Sequence, residues 1–215
     1  MKKLTILTMI LFVASGMTMR AQTERNKLFI AGASSLNLLA GGENDKFGDN
    51  EYKYSEIEIE FTPKIGYTVI DNMPIGLFID TYREFYKNKD NENKARESQL
   101  LIGPFIRYYF ADLVGLMPYA EASIGFGTYR IASKAGTDDE WDIYDKEIAY
   151  NFRIGGGLTY FFNDYIGVDM FMGFNHESWI QKDESDGDRD NDNSKYIYNE
   201  FLMQMGIVCM LKCKK

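Results

Sequence analysis

Cysteine and histidine are scarce in this 215-residue chain, which has two cysteines and one histidine. Cys209 and Cys213 are four residues apart, and on one extended strand that spacing would hold them ~13 Å apart, too far for a disulfide. No second closely spaced cysteine pair accompanies them, so a zinc motif is not indicated either. The stability of the fold must therefore come from its secondary structure and not from disulfides or a structural metal.

Long hydrophobic runs are also missing after the first 21 residues, because charged residues interrupt every apolar segment. A membrane-spanning helix needs about 20 consecutive apolar residues, so a helical membrane protein is excluded. A membrane β-barrel is not excluded, because its strands alternate apolar and polar residues and its mean hydropathy resembles that of a soluble protein.

The N-terminus has the pattern of a secretory signal. Lys2 and Lys3 precede the short apolar run Leu4–Val13, and smaller residues lead to an expected cleavage after Ala21. The alternative, a spanning helix, needs a longer apolar core. The sequence thus predicts a signal peptide over residues 1–21 and a single barrel domain over residues 22–215.

Positive charge is in deficit, with 24 Lys and Arg against 32 Asp and Glu and a net charge of −8. Removal of the signal takes away three basic residues and no acid, which lowers the net charge to −11 and argues against nucleic acid as a partner. The acidic segment 183–193 repeats Asp at a spacing of two. It has Asn191 and Ile197 where a calcium loop that starts at Asp186 requires Gly and Glu, so a solvated loop is predicted, with a weak divalent-cation site as the alternative. No metal ligand and no cofactor is assigned.

The rest of the chain divides into segments of alternating hydrophobicity, a pattern of period two that is typical of strands. In one segment Ile57, Ile59 and Phe61 share a face, and Glu58 and Glu60 share the other. The eight predicted strands begin at about Lys27, Tyr54, Pro74, Ser98, Pro118, Glu147, Ile166 and Phe201. Pro63 and Pro104 lie within strands, where each removes a ladder bond, and Gly103-Pro104 is expected to mark a bulge.

Short and long connections alternate along the chain, as they do in outer-membrane barrels, which have short periplasmic turns and longer outer loops. The predicted periplasmic turns are Ile70–Met73, Ala111–Met117 and Asn163–Asp164. The predicted outer loops are Leu38–Lys53, Lys87–Glu97, Ala132–Lys146 and Ile180–Ser194. The sequence therefore predicts an all-β fold, an eight-stranded antiparallel up-and-down transmembrane β-barrel.

The polar face of these strands carries charges of both signs. It is predicted to face a barrel interior that side chains fill, with Arg107 and Arg153 pairing with Glu121, Asp169 and Glu58. Aromatic residues at the strand ends resemble the girdles of membrane barrels, which favours lipid on the apolar face. The predicted structural ion network consists of Glu58, Glu60, Lys64, Asp80, Arg107, Glu121, Arg153 and Asp169.

Three stretches resemble small outer-membrane β-barrels of the porin-family, OmpX/OmpA-like type: IGPFIRYYF (Ile102–Phe110), YAEASIGFGTY (Tyr119–Tyr129) and FRIGGGLTYFFNDYIGVDMFMGF (Phe152–Phe174). The resemblance covers roughly residues 25 to 212 and implies a location in the cell outer membrane, with no catalytic residues. Such barrels commonly end on an aromatic residue, whereas this chain ends with Met210-Leu211-Lys212-Cys213-Lys214-Lys215.

The resulting hypothesis is a non-enzymatic, monomeric outer-membrane barrel with a structural or surface-interaction role and acidic extracellular loops. Its expected partners are outer-membrane lipid and an extracellular ligand or host surface. The alternatives are a soluble periplasmic barrel that holds a small hydrophobic ligand, which requires the apolar face to point inward, and a narrow pore. An enzyme acting on lipid would need a Ser, Asp and His cluster around His176.

Overall fold

A computed structural model describes residues 23–34, 41–47, 50–88, 93–111, 113, 115–135, 141–180 and 195–213. The predicted signal peptide (1–21) and the acidic segment 183–193 lie outside the described residues. No helix in the described ranges has the length and apolar character needed to span a bilayer.

Nine antiparallel strands form one sheet, and eight of them make the barrel. The strands are β1 (Lys27–Ser34), β2 (Gly41–Phe47), β3 (Asn50–Ile70), β4 (Met73–Asn88), β5 (Lys94–Tyr109), β6 (Leu116–Lys134), β7 (Asp142–Phe161), β8 (Ile166–Ile180) and β9 (Lys195–Lys212).

The barrel is closed by β1, which pairs with β9 on one side and with β3 on the other. Lys27 lies opposite Lys212 on β9, and Leu28 lies opposite Tyr67 on β3. From β3 to β9 each strand pairs with the next one in the chain. Counting β1 and β3–β9, the predicted eight-stranded up-and-down barrel is confirmed. Closure leaves no free edge around the ring.

The loop boundaries differ from those predicted. Strand β2 lies within the predicted loop Leu38–Lys53 and forms a hairpin with the first residues of β3. Strands β4, β5, β6 and β7 also continue into the predicted loops Lys87–Glu97 and Ala132–Lys146. The polar composition of these segments predicts loops. Outside lipid, however, polar residues can extend a hairpin whose ladder is already in register.

The expected bulge at Gly103-Pro104 is wrong. Ile102 faces Phe126 and Phe105 faces Ser123, so the register is the same on both sides of the proline. Pro104 instead keeps its place opposite Leu77 on β4. The register shifts lie between Thr68 and Ile70 and between Ile131 and Ala132.

The end of the barrel that carries the short connections is called the turn end here, and the opposite end the loop end. The segment before β1 is attached to the β3–β4 turn at the turn end. Asn72, with φ of 68°, donates its N–H to the Thr23 carbonyl oxygen at 2.7 Å. The Arg25 N–H is 2.8 Å from Oδ1 of Asp71. These contacts fix the start of the described chain against the barrel rim.

The predicted apolar face points away from the barrel axis on every strand from β3 to β9. Large apolar side chains stay open at the middle of the barrel wall, where Leu77 is 52%, Ile154 49% and Met205 58% exposed. Their neighbours along the strands point inward and are buried. A continuous outward apolar belt of this kind is the lipid-facing surface of a transmembrane barrel, and it excludes the soluble barrel whose apolar face would point inward.

The apolar belt makes a depth-dependent prediction. Ile154 and Ile148 are both exposed outward on β7, but Ile148 lies six residues closer to the loop end. Ile154→Lys should lower the free energy of unfolding by about 2–4 kcal/mol, whereas Ile148→Lys should cost about 0–1 kcal/mol because the lysine reaches the interface.

Urea unfolding in lipid vesicles, followed by heat-modifiable migration on gels, measures both free energies. Equal and small effects at the two positions would contradict a membrane-embedded belt, because exposed isoleucines of a soluble barrel tolerate lysine similarly.

Candidate functional site: the charged barrel interior

The turn half of the interior is built around Arg107, whose side chain is 1% exposed. Its guanidinium binds two carboxylates at once. Nε donates to Oε2 of Glu121 at 2.8 Å, and Nη1 and Nη2 donate to the two oxygens of Asp169 at 3.1 and 2.9 Å. The Asp169 contact is bidentate, which is the geometry in which arginine binds a carboxylate most strongly.

Both carboxylate oxygens of Asp169 also accept hydrogen bonds from hydroxyl groups. Thr159 donates its hydroxyl to Oδ1 at 2.6 Å, and Tyr119 donates its hydroxyl to Oδ2 at 3.0 Å. The Tyr119 ring centroid is 3.8 Å from the Arg107 guanidinium carbon, a cation–π contact. These side chains come from different strands, so the cluster ties together opposite walls of the barrel.

Lys64 completes this cluster. Its ammonium forms an ion pair with Glu121 and lies 5.9 Å from the Phe105 ring and 5.8 Å from the Phe171 ring. The cluster therefore has two cations and two carboxylates and no net charge, which is the condition for burying ionised groups without a large desolvation penalty. An apolar and aromatic layer surrounds it, formed by Phe29, Ala31, Phe78, Phe105, Tyr109, Met117, Tyr119, Phe161, Phe171, Val208 and Met210.

A glycine near the turn end of β7 makes room for this packing. A Cβ built on Gly157 would lie 2.4 Å from Cζ of Tyr119 and 2.2 Å from the Met170 carbonyl oxygen. Only a residue without a side chain allows the Tyr119 ring to lie flat over Arg107 at this point. The space beside Gly157 is taken by the aromatic ring that covers Arg107.

A second cluster lies closer to the loop end and is centred on Arg153. Its Nη2 is 2.8 Å from Oδ2 of Asp80 and 4.0 Å from Oε1 of Glu60. Thr62 donates to the other oxygen of Asp80 at 2.8 Å, and Gln204 donates to Glu60 at 3.0 Å. One cation here faces two carboxyl groups, so acidic groups outnumber the basic one in this cluster.

Above Arg153 the interior opens into a chamber of about 600 Å³, within the size range of small-molecule pockets. Its walls are acidic and aromatic. Asn175 donates hydrogen bonds to Glu177 at 2.9 Å and to Glu200 at 3.0 Å. The charged and aromatic lining residues are Glu58, Glu60, Asp80, Glu97, Glu177, Glu200, Arg153, Tyr82, Tyr129, Trp179, Tyr198 and Phe201.

The eight residues predicted for the ion network occupy three places. Lys64, Arg107, Glu121 and Asp169 form the lower cluster, and Arg153, Asp80 and Glu60 form the upper one. Glu58 was expected to pair with an arginine but lies on the chamber wall. A structural role for the network remains a proposal.

Sequence reasoning did not single out several residues on which the interior depends. Tyr119 and Thr159 bind Asp169, and Glu97, Glu177 and Trp179 line the chamber. Glu97 could have been predicted to point inward, because it is two residues from Gln99 and therefore lies on the same polar face of its strand. The remaining residues could be placed next to their partners only with the register between neighbouring strands. The sequence does not contain that register.

The only histidine, His176, lies half-buried on β8, and its Nδ1 is 2.7 Å from Oδ1 of Asn199. In the described part of the chain no serine or carboxylate is hydrogen-bonded to its ring, and an asparagine is neither a nucleophile nor a base. The cluster that a lipid-cleaving enzyme requires is not assembled by the described residues. These residues likewise hold no group of three His, Cys, Asp or Glu side chains arranged to bind a metal ion.

No protein-family model matches the chain, and no curated protein matches it. Several solved structures are similar. The N-terminal β-barrel domain of Pseudomonas aeruginosa OprF is 13% identical with a TM-score of 0.35, over 87% of this chain and 98% of that one. Neisserial surface protein A (NspA) is 18% identical with a TM-score of 0.36, and the match covers 87% of this chain and 97% of NspA. Ail, the attachment invasion locus protein of Yersinia pestis, solved with the heparin analogue sucrose octasulfate, is 11% identical with a TM-score of 0.41, over 86% and 97%.

The fold that the sequence resemblance implies, a closed eight-stranded antiparallel barrel, is confirmed by the strand pairing of the chain itself. The location of the barrel in a membrane follows from its own surface. A closed ring of strands satisfies every backbone ladder, and an apolar belt outside a polar interior is the form that strands take in outer membranes. The described strands form a transmembrane β-barrel of the outer-membrane type.

Arg107 gives a prediction for stability. Arg107→Met should lower the free energy of unfolding by about 3–5 kcal/mol, because it leaves Asp169 buried without its cation. The double variant Arg107→Met/Asp169→Asn should be more stable than the sum of the two single changes implies. Urea unfolding in lipid vesicles gives all three values, with the exposed Lys212→Met expected within about 0.5 kcal/mol of the wild type. Strict additivity of the two changes would contradict a coupled pair.

Proposed function

We propose that the protein is a non-enzymatic, monomeric surface barrel whose interior is closed to solutes and whose loop end meets an extracellular ligand or a host surface. The observation that supports the proposal is the filled cross-section at the turn half. Arg107, Glu121 and Lys64 are buried there among aromatic side chains. A barrel of about eight strands has just enough interior space for side chains, so this layer acts as a plug.

The chamber is consistent with a role at the cell surface. It begins above Arg153 and lies on the loop side of the plug, so a molecule that enters it from the loops meets a floor and not a channel. A monomer is supported by closure of the sheet, because every strand of the ring is paired on both sides and no strand edge remains to recruit a second copy.

Ion conductance tests the plug. The purified protein in planar bilayers should give no stable conductance steps, because a neutral ion cluster and an aromatic layer fill the lumen. Tyr119→Ala removes the ring that covers Arg107 and keeps every charge, so it should introduce a measurable leak.

Tyr198→Ala, on the chamber wall above the plug, is the matched control and should stay closed. Stable steps from the wild-type protein would overturn the closed barrel and support a narrow pore. Recovery of the mature protein in the soluble periplasmic fraction, without detergent, would overturn the proposal as a whole.

A further inference from the structure

Basic side chains on the outer wall of β4–β7 form a patch that the interior network does not use. At the loop end of these strands, alternate residues point inward and outward, and this separates the acidic side chains from the basic ones. Glu84 and Glu147 point inward and are 6% and 5% exposed, whereas the outward positions carry cations. The cationic patch consists of Arg83, Lys94, Arg96, Arg130, Lys134 and Lys146. At the outward positions of β4–β7 above the belt, no residue whose side chain is described is an Asp or Glu.

The register places these cations in rows directly above the apolar belt. Ile79, Ile102 and Phe126 face one another across β4, β5 and β6 as one apolar row. Four residues further toward the loop end, Arg83, Ser98, Arg130 and Lys146 form the first row of the patch across β4–β7. Four residues along a strand tilted by about 45° rise roughly 9 Å, so this row stands at the depth where headgroups begin.

Like charges oppose each other directly within the patch. Lys94 lies opposite Lys134 and Arg130 lies opposite Lys146, and opposed residues of one face have Cβ atoms about 4.5–5.5 Å apart. Such pairs destabilise a sheet unless an anion lies between them. None of the six cations forms an ion pair with another residue in the part of the chain that the structure describes.

Trp141 gathers two of these cations at one point. The Arg96 guanidinium carbon is 4.7 Å from its ring centroid and the Lys134 ammonium is 5.7 Å from it. Nε of Arg96 is buried and donates no hydrogen bond within the described residues. Two cations held at one aromatic ring are an arrangement that a phosphate group would neutralise.

We propose that the cationic patch binds the phosphorylated headgroups of outer-leaflet lipid. The patch points sideways from the wall, continues the apolar belt and is opposite in sign to phosphate, so a lipid that packs its acyl chains on Ile79 and Phe126 brings its headgroup to Arg83 and Arg130. The inference rests on the membrane placement of the barrel. It also adds to the proposed function the class of lipid that surrounds the loop end.

The test uses diphosphoryl lipid A, a phosphorylated and acylated disaccharide, as the probe for the protein in zwitterionic detergent. The chain has two tryptophans, so a Trp179→Phe background leaves the emission of Trp141 as a reporter inside the patch. The patch variant is Lys94→Gln/Arg130→Gln/Lys134→Gln. Arg25→Gln/Lys195→Gln/Lys212→Gln removes the same charge from exposed positions elsewhere and is the matched control.

Each lost cation should weaken binding about fivefold near an anionic headgroup, so the patch variant should bind roughly 100-fold more weakly and the control within about threefold of the reference. Dephosphorylated lipid A, with the same acyl chains, should bind the reference protein as weakly as lipid A binds the patch variant. In detergent without lipid A, the patch variant should unfold at a higher urea concentration than the control variant, since the opposed cations no longer repel.

Equal lipid A affinity for the patch variant and the reference would overturn the inference, as would equal affinity for lipid A with and without phosphate. Inositol hexakisphosphate has phosphates but no acyl chains. Binding of this probe as tight as that of lipid A would assign the patch to a soluble polyanion and overturn the lipid. Heat-modifiable migration shows that each variant is folded, and Lys134→Gln alone replaces the patch variant if that does not fold. The absence of conductance is measured separately, so failure here leaves the closed barrel intact.

Discussion

The bidentate contact between Arg107 and Asp169 is the constraint on which the interior depends. A guanidinium taken out of water into the middle of a barrel is stable only if carboxylates and hydrogen bonds replace its hydration. Glu121 and Asp169 neutralise it from two sides, and Lys64 balances the charge that this leaves. The partners come from β3, β5, β6 and β8, so the cluster joins four of the eight strands of the barrel across the lumen.

The same electrostatic argument explains why the two halves of the interior differ. The lower cluster balances two cations with two carboxylates, and aromatic rings pack around it. The upper cluster has one arginine for two carboxylates, and further glutamates line the space above it. Buried carboxyl groups without a cationic partner need water or hydrogen-bond donors around them. The surplus of acidic groups in the upper half is therefore consistent with a chamber that the side chains leave open.

Much of the architecture could be predicted from the sequence, because period-two alternation fixes which face of a strand is apolar. It gave the eight strands and the outward direction of Ile57, Ile102 and Ile154. It did not give the loop limits, since polar strands beyond the bilayer look like loops. It also did not give the partner of Arg153, because pairing across the lumen depends on register and barrel diameter. Asp80 and Glu58 have the same phase on their own strands, and only the closed barrel shows which one Arg153 reaches.

At the loop end, the alternation of side chains along each strand shows which charges point outward, and the overall composition does not show this. The chain has a net charge of −8, which suggests a surface that repels phosphate. On β4–β7, however, alternation sends Glu84 and Glu147 inward and Arg83 and Arg130 outward. The lumen can hold acids there because hydroxyls such as that of Tyr82, 2.5 Å from Glu84, donate to them. The outer wall carries cations at the same height and meets a different medium. Its opposed cations have a physical reason only if that medium supplies anions, and beside an apolar belt the anions at that depth are lipid phosphates.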